Sequence, residues 1–247
     1  DKPVIVGHPG GRGVVTTACY VARRYGPRSA MPMFQALRLC PDAVVIPPNM
    51  EKYRRASRQI RAILAPATPV IEPVSLDEAY LDLSDGVRIC DVLPATALAG
   101  IARTVEENVG ITISIGLSCN KFLAKLASDL DKPRGFAVIG RAEARAFLAP
   151  LPVRKILGVG SATAAKLEDM GIATIGQLQS VPASQLVARF GKFGRRLAQF
   201  AQGEDDRAII ASRPAKSISA ETTFRTDLRA FGSLAEALRP LSDRVAD

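Results

Sequence analysis

The hydrophobic pattern of this 247-residue chain changes near residue 140, and that change restricts the folds open to it. Before it, short runs rich in β-branched residues, such as VIEPVS and ITISIGL, alternate with segments of helical periodicity. After it, apolar residues recur at helical spacing between prolines and glycines. The chain is therefore predicted to be α+β, with a mixed part followed by an all-helical part.

The mixed part has a definite order of elements. A basic amphipathic helix over 51–65 is followed by two strands, VIEPVS and AYLDLS, which Leu76-Asp77-Glu78 join as a hairpin. The further predicted elements are a helix at 95–108, a strand at 111–117, a helix at 119–130 and the strand FAVI. This β-β-α-β-α-β order is close to a ferredoxin-like sheet whose first strand and helix would come from upstream.

Both ends of the chain differ from this middle. Residues 4–7 predict a strand that leads into a glycine-rich turn, and 14–25 begins as a strand and becomes helical. Residues 212–217 are polar and basic without apolar periodicity, which predicts a linker, and a new unit begins after it.

The charge distribution favours a polyanionic partner. The net charge is +9, and residues 141–216 carry twelve basic against six acidic residues, whereas 51–140 carries eleven of each. A basic surface around a region rich in carboxylates suits nucleic acid, although basic surplus can also serve solubility alone.

Other bulk features point to the cytoplasm. No apolar run reaches membrane-spanning length, and the start DKPVIVGHPGG has no signal-peptide character. The cysteines are far apart, which predicts reduced thiols in small buried positions rather than a zinc site: Cys19, Cys40, Cys90 and Cys119.

Asp77 and Glu78 are the sharpest candidates for chemistry. Neighbours on a regular strand point to opposite faces, but at a tight turn both carboxylates can converge on one ion. Two hard oxygen ligands suit Mg²⁺ bound to a triphosphate, whose oxygens complete the octahedron. The alternative is a solvated acidic turn, which is the better explanation for an isolated Asp-Glu pair.

A second candidate set could hold phosphate. Thr17, Tyr20 and Arg23 recur every three residues on an incipient helix, so that a hydroxyl, a phenol and a guanidinium share one face. Lys132, at a predicted helix end, could lie over a phosphate or satisfy the terminal carbonyls. A plain surface helix is the better explanation for the first three taken alone.

A third candidate is a helix-hairpin-helix turn in the helical part. Gly158-Val159-Gly160 would let the backbone approach a DNA phosphate, to which the amides from Ser161 onward could donate. Lys155 and Lys166 would add charge to this sequence-independent contact. The alternative is an ordinary turn between two helices.

Together these segments resemble the Y-family, translesion DNA polymerases of the bacterial DNA polymerase IV type, with a UmuC-like domain. The resemblance covers nearly the whole chain and rests on four segments in the family's order: RGVVTTACYVARRYGPRSAMP, SLDEAYLDLS, SIGLSCNKFLAKLASDLDKPRGFAVI and ILGVGSATAAKLEDMGI. It implies a right-hand polymerase with small fingers at 1–50, a ferredoxin-like palm at 51–140, a helix-hairpin-helix thumb at 141–212 and the start of an α/β little finger at 216–247.

The resemblance also implies a reaction. Asp77 and Glu78 would be catalytic ligands of two Mg²⁺ ions in error-prone, template-directed transfer of dNMP to a primer 3′-hydroxyl. Thr17, Tyr20, Arg23 and Lys132 match positions that grip the incoming nucleotide. The implied partners of this cytoplasmic monomer are primer-template DNA, dNTP and a sliding clamp, although the clamp-binding peptide is not visible in the sequence.

Two departures from the family leave an alternative open. The family begins with a strand carrying another metal-binding aspartate and the ribose-sensing steric gate, and its little finger is longer than the residues after Lys216. With two of three catalytic carboxylates, activity of the chain as written is an open question. The alternative function is a non-catalytic relative that binds DNA or recruits repair proteins.

Overall fold

The computed structural model describes residues 2–84, 92–212 and 214–246, which belong to two compact units. The first unit comprises residues 1–53 and 213–247, and the second comprises residues 54–212. The predicted division into fingers, palm, thumb and little finger is finer than this one and stays a prediction. In the described part of the chain, no helix is long and apolar enough to cross a membrane.

The first unit is built on a small three-stranded sheet. Its elements are β1 (Val4–Gly7), β2 (Val15–Ala18), α1 (Tyr20–Arg24), α2 (Met33–Leu39), β3 (Val44–Ile46) and α11 (Phe231–Ala246). β1 lies in the middle, antiparallel to β2 and parallel to β3, which confirms the predicted strand at 4–7. Ile5, Val15 and Ala18 of the sheet pack with Ala22 of α1 and with Met33 and Ala36 of α2 to form its buried core.

The second unit contains two strand pairs and a series of helices. The strands are β4 (Ile71–Pro73), β5 (Ala79–Leu81), β6 (Ile115–Ser118) and β7 (Phe136–Ile139). The helices are α3 (Met50–Leu64), whose first four residues belong to the first unit, α4 (Pro94–Val109), α5 (Lys121–Ser128), α6 (Ala144–Leu148), α7 (Ser161–Glu168), α8 (Ile175–Gln179), α9 (Ala183–Phe190) and α10 (Lys192–Ala201). This order confirms the predicted β-β-α-β-α-β sequence and the helical part that follows it.

The strands of the second unit form two separate pairs. β4 pairs antiparallel with β5, β6 pairs parallel with β7, and within the described residues no backbone ladder joins the two pairs. The strand predicted at 111–117 is shorter in the structure. Its ladder begins where Ile115 donates to the Gly135 carbonyl, because β7 offers no partner before Phe136.

A close β-α-β crossover connects β6 to β7 through α5. Asn120 caps α5 by accepting a hydrogen bond from the Leu123 amide. Gly116 lies directly beneath the helix, and a Cβ at this position would be 2.0 Å from the Ala124 carbonyl oxygen. Only glycine therefore allows α5 to pack this closely on β6.

One hydrophobic core continues from α5 through the helical part. The ring of Phe122 on α5 stacks on Phe200 of α10 with centroids 4.4 Å apart. Both residues belong to the same buried cluster as Leu148, Leu167 and Leu186. A second cluster packs α3 and α4 against the hairpin strands. The regions predicted as palm and thumb thus share one core.

The cysteines agree only in part with the prediction that they are buried. Cys40 is buried and Cys19 is half-buried, and both are free thiols. Cys119 is exposed, contrary to that prediction, because it lies in the turn between β6 and α5. Cys90 lies outside the described residues.

We expect Gly116→Ala to lower the free energy of unfolding by roughly 2–3 kcal/mol, because its methyl group would force α5 away from β6. Gly100→Ala is the matched control, since Gly100 lies inside α4 and a Cβ there meets no atom within 4 Å. That control should gain about 0.5–1 kcal/mol from higher helix propensity. Urea denaturation followed by circular dichroism measures both, and similar values for the two variants would contradict the packing argument.

Candidate functional site

Asp77 and Glu78 lie at the tip of the β4–β5 hairpin, as the sequence predicts. Ser75 shapes the tip: its hydroxyl donates to Asp77 Oδ1 over 2.6 Å and accepts from the amides of Asp77 and Glu78. The Val74 amide donates to the Glu78 carbonyl and closes the turn. Both carboxylates are exposed, so that neither is sequestered from a ligand in solution.

An ion-pair chain runs from the hairpin tip along α5 and past its end. Lys125 Nζ lies 2.7 Å from Glu78 Oε1 and 3.3 Å from Asp129 Oδ2. Asp129 also binds Lys132, with 2.6 Å between Oδ1 and Nζ. We call these four residues, Glu78, Lys125, Asp129 and Lys132, the charge chain. Each of its two middle members is shared between two opposite charges.

The contacts of the charge chain shift the pKa values of its two middle members, Lys125 and Asp129. Partial burial disfavours the charged form of Lys125, but its hydrogen bond to Glu78 and the charge of Asp129 outweigh this and raise its pKa. Partial burial likewise opposes ionisation of Asp129, yet Lys132 and Lys125 lower the pKa of this carboxyl. Both residues are therefore charged at neutral pH.

Lys132 follows α5, near the predicted helix end. Of the two possibilities left open by the sequence, capping of the terminal carbonyls is not observed in the described residues, where the ammonium pairs with the Asp129 carboxylate instead. Asp129 is the C-cap residue of α5, so the pairing still ties Lys132 to the helix end. The side chain remains exposed.

The donor atoms at the hairpin tip fit a magnesium ion that a phosphate ligand helps to coordinate. Mg²⁺ prefers hard oxygen ligands and is commonly held by one or two carboxylates together with substrate phosphates and water. Asp77 and Glu78 supply two such carboxylates on adjacent residues. In the described residues, no cluster of three or more His, Cys, Asp or Glu side chains could hold a metal by itself. The tip therefore suits an ion that takes its remaining ligands from water or from a triphosphate.

The first unit brings Thr17, Tyr20 and Arg23 together, but not on one helix as predicted. Thr17 lies on β2, whereas Tyr20 and Arg23 lie on α1, because the strand ends at Ala18 and Cys19 caps the helix. Arg23 joins the set: its Nη2 is 3.4 Å from Thr17 Oγ1 and its guanidinium lies 5.2 Å from the centre of the Tyr20 ring. A hydrogen bond from Arg23 Nε to the Ala18 carbonyl fixes this geometry. A strand end and a helix start thus form a cluster of three donors.

A buried ion pair behind the hairpin was missed by the sequence reasoning. Glu72 on β4 and Lys121, the first residue of α5, are both buried, with 2.5 Å between Oε2 and Nζ. Glu72 also accepts from the Ile210 amide, and Lys121 donates to the Ala208 carbonyl. The ammonium lies 4.9 Å from the centre of the Tyr80 ring. A charged residue between apolar neighbours on a short strand was the one available signal.

The segment that follows α10 is held to α5 by further hydrogen bonds. Asp205 accepts from the Phe122 amide, and Asn120 donates to the Gly203 carbonyl. With the contacts of Glu72 and Lys121, these bonds fasten residues 203–210 to the base of the hairpin. Lys121 and Lys125, one helical turn apart on α5, thus bind the base and the tip of the same hairpin.

In the predicted helix-hairpin-helix turn, a side chain would meet protein atoms at Gly158 but not at Gly160. Gly158 has φ +94°, and a Cβ there would lie 3.1 Å from the Phe193 ring, so that a side chain would press on this ring. Gly160 precedes α7 and has nothing within 4 Å. The side chain of Val159 is buried, which leaves only its backbone for a ligand. Among the predicted DNA-binding positions, the exposed ones are Lys155, Gly158, Gly160, Ser161 and Lys166.

We expect Lys121→Met to lower the free energy of unfolding by about 3–5 kcal/mol, because the buried carboxylate of Glu72 would lose the ammonium that lies 2.5 Å from it. The double variant Glu72→Gln/Lys121→Met should recover much of this loss, because glutamine is neutral and can still accept from the Ile210 amide. Thermal denaturation of both variants measures the difference. A double variant less stable than Lys121→Met alone would contradict this account of the pair.

Comparison with protein families matches two parts of the chain. Residues 1–129 match the impB/mucB/samB family, and residues 154–205 match the thumb domain of DNA polymerase iota. The first match contains the hairpin with its acidic tip and every member of the charge chain except Lys132. The second contains the glycine turn before α7.

Curated relatives match over the full chain. DNA polymerase IV of Brucella melitensis is 56% identical over 246 residues, which cover 100% of this chain and 55% of the relative. DNA polymerase IV of Alkalilimnicola ehrlichii is 49% identical, with 99% of this chain and 69% of the relative covered. This chain spans 55% to 61% of the Brucella melitensis, Mesorhizobium japonicum and Caulobacter vibrioides proteins.

Solved structures share the fold. A Y-family DNA polymerase chimera of Dbh and Dpo4 matches with a TM-score of 0.88 at 28% identity, covering 99% of this chain and 72% of the chimera. DinB from Sulfolobus solfataricus matches with a TM-score of 0.76 at 31% identity, over 84% of this chain and 62% of that one. An insertion ternary complex of Dbh DNA polymerase matches with a TM-score of 0.76 at 32% identity, with the same coverage.

Proposed function

Because this chain belongs to the impB/mucB/samB family, the Y-family DNA polymerases of the DNA polymerase IV type, we propose that it serves error-prone, template-directed DNA synthesis past damaged bases. The observation that carries the proposal is the exposed acidic hairpin tip, with Asp77 and Glu78 beside a series of lysines. The reaction would transfer dNMP from a dNTP to a primer 3′-hydroxyl. A role in DNA binding alone would give Asp77 and Glu78 no function.

We assign Asp77 and Glu78 as ligands of two Mg²⁺ ions. Bound at the hairpin tip, these ions would lower the pKa of the primer 3′-hydroxyl and neutralise charge on the triphosphate. The protein contributes the positions of the two carboxylates, which the hydrogen bonds of Ser75 set at the turn. Exposure of both acids leaves room for a primer end and a nucleotide to approach.

Four residues would hold the incoming dNTP. Thr17, Tyr20 and Arg23 form a cluster of hydroxyl, phenol and guanidinium donors, which suits phosphate oxygens. Lys132 would contribute a point charge from the end of α5. These side chains orient the triphosphate and do not take part in bond making.

Primer-template DNA would contact the helical part at the turn before α7. Its glycine backbone, the first amides of the helix and the exposed Lys155 and Lys166 suit one DNA strand, read through its phosphates. The corresponding domains are fingers at 1–50, palm at 51–140, thumb at 141–212 and little finger from 216. A monomer acting in the cytoplasm and a sliding clamp as partner stay predictions from the family resemblance.

Asp77→Asn tests the metal assignment. On the full-length protein with Mg²⁺, the rate of primer extension should fall at least about 100-fold, because loss of a metal ligand removes several kcal/mol of transition-state stabilisation. Asp131→Asn makes the same chemical change at an exposed position outside the charge chain and should extend normally. Equal extension by Asp77→Asn and wild type would remove Asp77 from the metal site.

Lys166→Ala tests the thumb contact. It should weaken primer-template binding without sequence preference and reduce the slope of log K against log salt by about 0.9. Arg103→Ala, at an exposed position on α4, is the matched control and should leave the slope unchanged. Fluorescence anisotropy across a salt series measures both slopes, and an unchanged slope for Lys166→Ala would exclude the contact.

Gly160→Ala tests whether a DNA phosphate approaches the backbone of this glycine, without disturbing the fold. The added methyl group meets no protein atom within 4 Å, so stability should be unchanged while DNA affinity falls. Gly158 is unsuitable for this purpose, because a side chain there would press on Phe193. Full DNA affinity in Gly160→Ala would show that no phosphate approaches this glycine.

A further inference from the structure

The charge chain links the predicted metal ligand Glu78 to the predicted phosphate ligand Lys132. Its three contacts measure 2.7, 3.3 and 2.6 Å, and they alternate negative and positive groups without a gap. Lys125 and Asp129 are four residues apart on α5, a spacing at which helical side chains meet. A change of partner at Glu78 can therefore alter the pairing of Lys132 through Lys125 and Asp129.

Lys125 and a metal ion compete for Glu78. The Lys125 ammonium, 2.7 Å from Glu78 Oε1, binds one of the two carboxylate oxygens that a metal ion would use. Lys125 already contacts a second carboxylate, Asp129, so it can leave Glu78 without losing a negative partner. Asp129 in turn binds Lys132, which is exposed and free to turn towards another anion.

We propose that Lys125 and Asp129 are positioning residues that couple metal entry to release of Lys132. Before the metal arrives, Lys125 holds Glu78 and Asp129 holds Lys132. When the ion binds Glu78, Lys125 pairs with Asp129 alone, and Lys132 is freed for the triphosphate that arrives with the ion. The exchange keeps each carboxylate paired with a cation throughout. It rests on the proposed function, in which Glu78 is a metal ligand.

The first test measures Mn²⁺ binding to the full-length protein without nucleotide, by electron paramagnetic resonance. Lys125→Met should tighten binding roughly three- to tenfold, because the competing ammonium is removed. Asp129→Asn should weaken it by a similar factor, because Lys125 then has one carboxylate in place of two. Lys125→Gln repeats the first change with a polar side chain, and thermal denaturation verifies that each variant is folded.

The double variant separates this exchange from general electrostatics. If Asp129 acts through Lys125, Asp129→Asn should have no further effect on Mn²⁺ affinity in a Lys125→Met background. A simple loss of negative charge would weaken Mn²⁺ binding equally in both backgrounds, which would overturn the proposal. Asp131→Asn removes the same charge two residues away and should leave the affinity near the wild-type value.

The second test measures the affinity of the protein for tripolyphosphate in the absence of metal, which reports on Lys132 at the other end of the charge chain. Asp129→Asn should tighten its binding several-fold because Lys132 is released, and a further Lys132→Met change should reverse the gain. Unchanged tripolyphosphate affinity in Asp129→Asn would overturn the coupling. Isothermal titration calorimetry at low salt suits this measurement, because salt screens exposed charges.

Failure of this proposal can be distinguished from failure of the proposed function. Asp77→Asn should abolish specific Mn²⁺ binding; if it does not, the metal site itself is wrongly placed. If Asp77→Asn does abolish it while Lys125→Met binds Mn²⁺ like wild type, the exchange of partners is wrong and the metal site stands.

Discussion

The buried pair of Glu72 and Lys121 supports the arrangement on which the candidate chemistry depends. It joins the first strand of the acidic hairpin to the first turn of α5 and, through Ala208 and Ile210, to the segment after α10. A buried charge must be fully partnered, so this geometry allows little variation. One turn further along α5, Lys125 reaches Glu78 at the hairpin tip. The helix therefore fixes the hairpin at both of its ends.

Local patterns predicted the elements, whereas contacts between distant residues could not be predicted. The hairpin at Asp77-Glu78, the helix after Asn120 and the glycine turn before Ser161 each follow from turn or capping residues within a few positions. Glu72 and Lys121 are 49 residues apart, and nothing local marks them as partners. The same limit applies to the strand pairing, since strand periodicity does not specify a neighbour.

The residues that hold the hairpin in place and the candidate site residues differ in burial. The groups that hold the hairpin in place are buried and hydrogen-bonded, whereas Asp77, Glu78 and Lys132 are exposed. Exposed charges add little to stability, so their contacts can exchange at low cost. Buried ones resist exchange because each lost partner leaves a desolvated charge. Residues only a few positions apart on one hairpin and one helix can thus differ in how easily their ionic contacts exchange, because they differ in burial.

The stack of Phe122 on Phe200 has a consequence for how such proteins diversify. It places a residue of the β-α-β crossover and a residue of α10 in one continuous core. Recombination near residue 140 would bring together two half-cores that had not been selected as a pair. Substitutions that change ring size at one position require compensation at the other. The span from 121 to 201 therefore packs as one block, and a cut near residue 140 would leave both parts with an incomplete core.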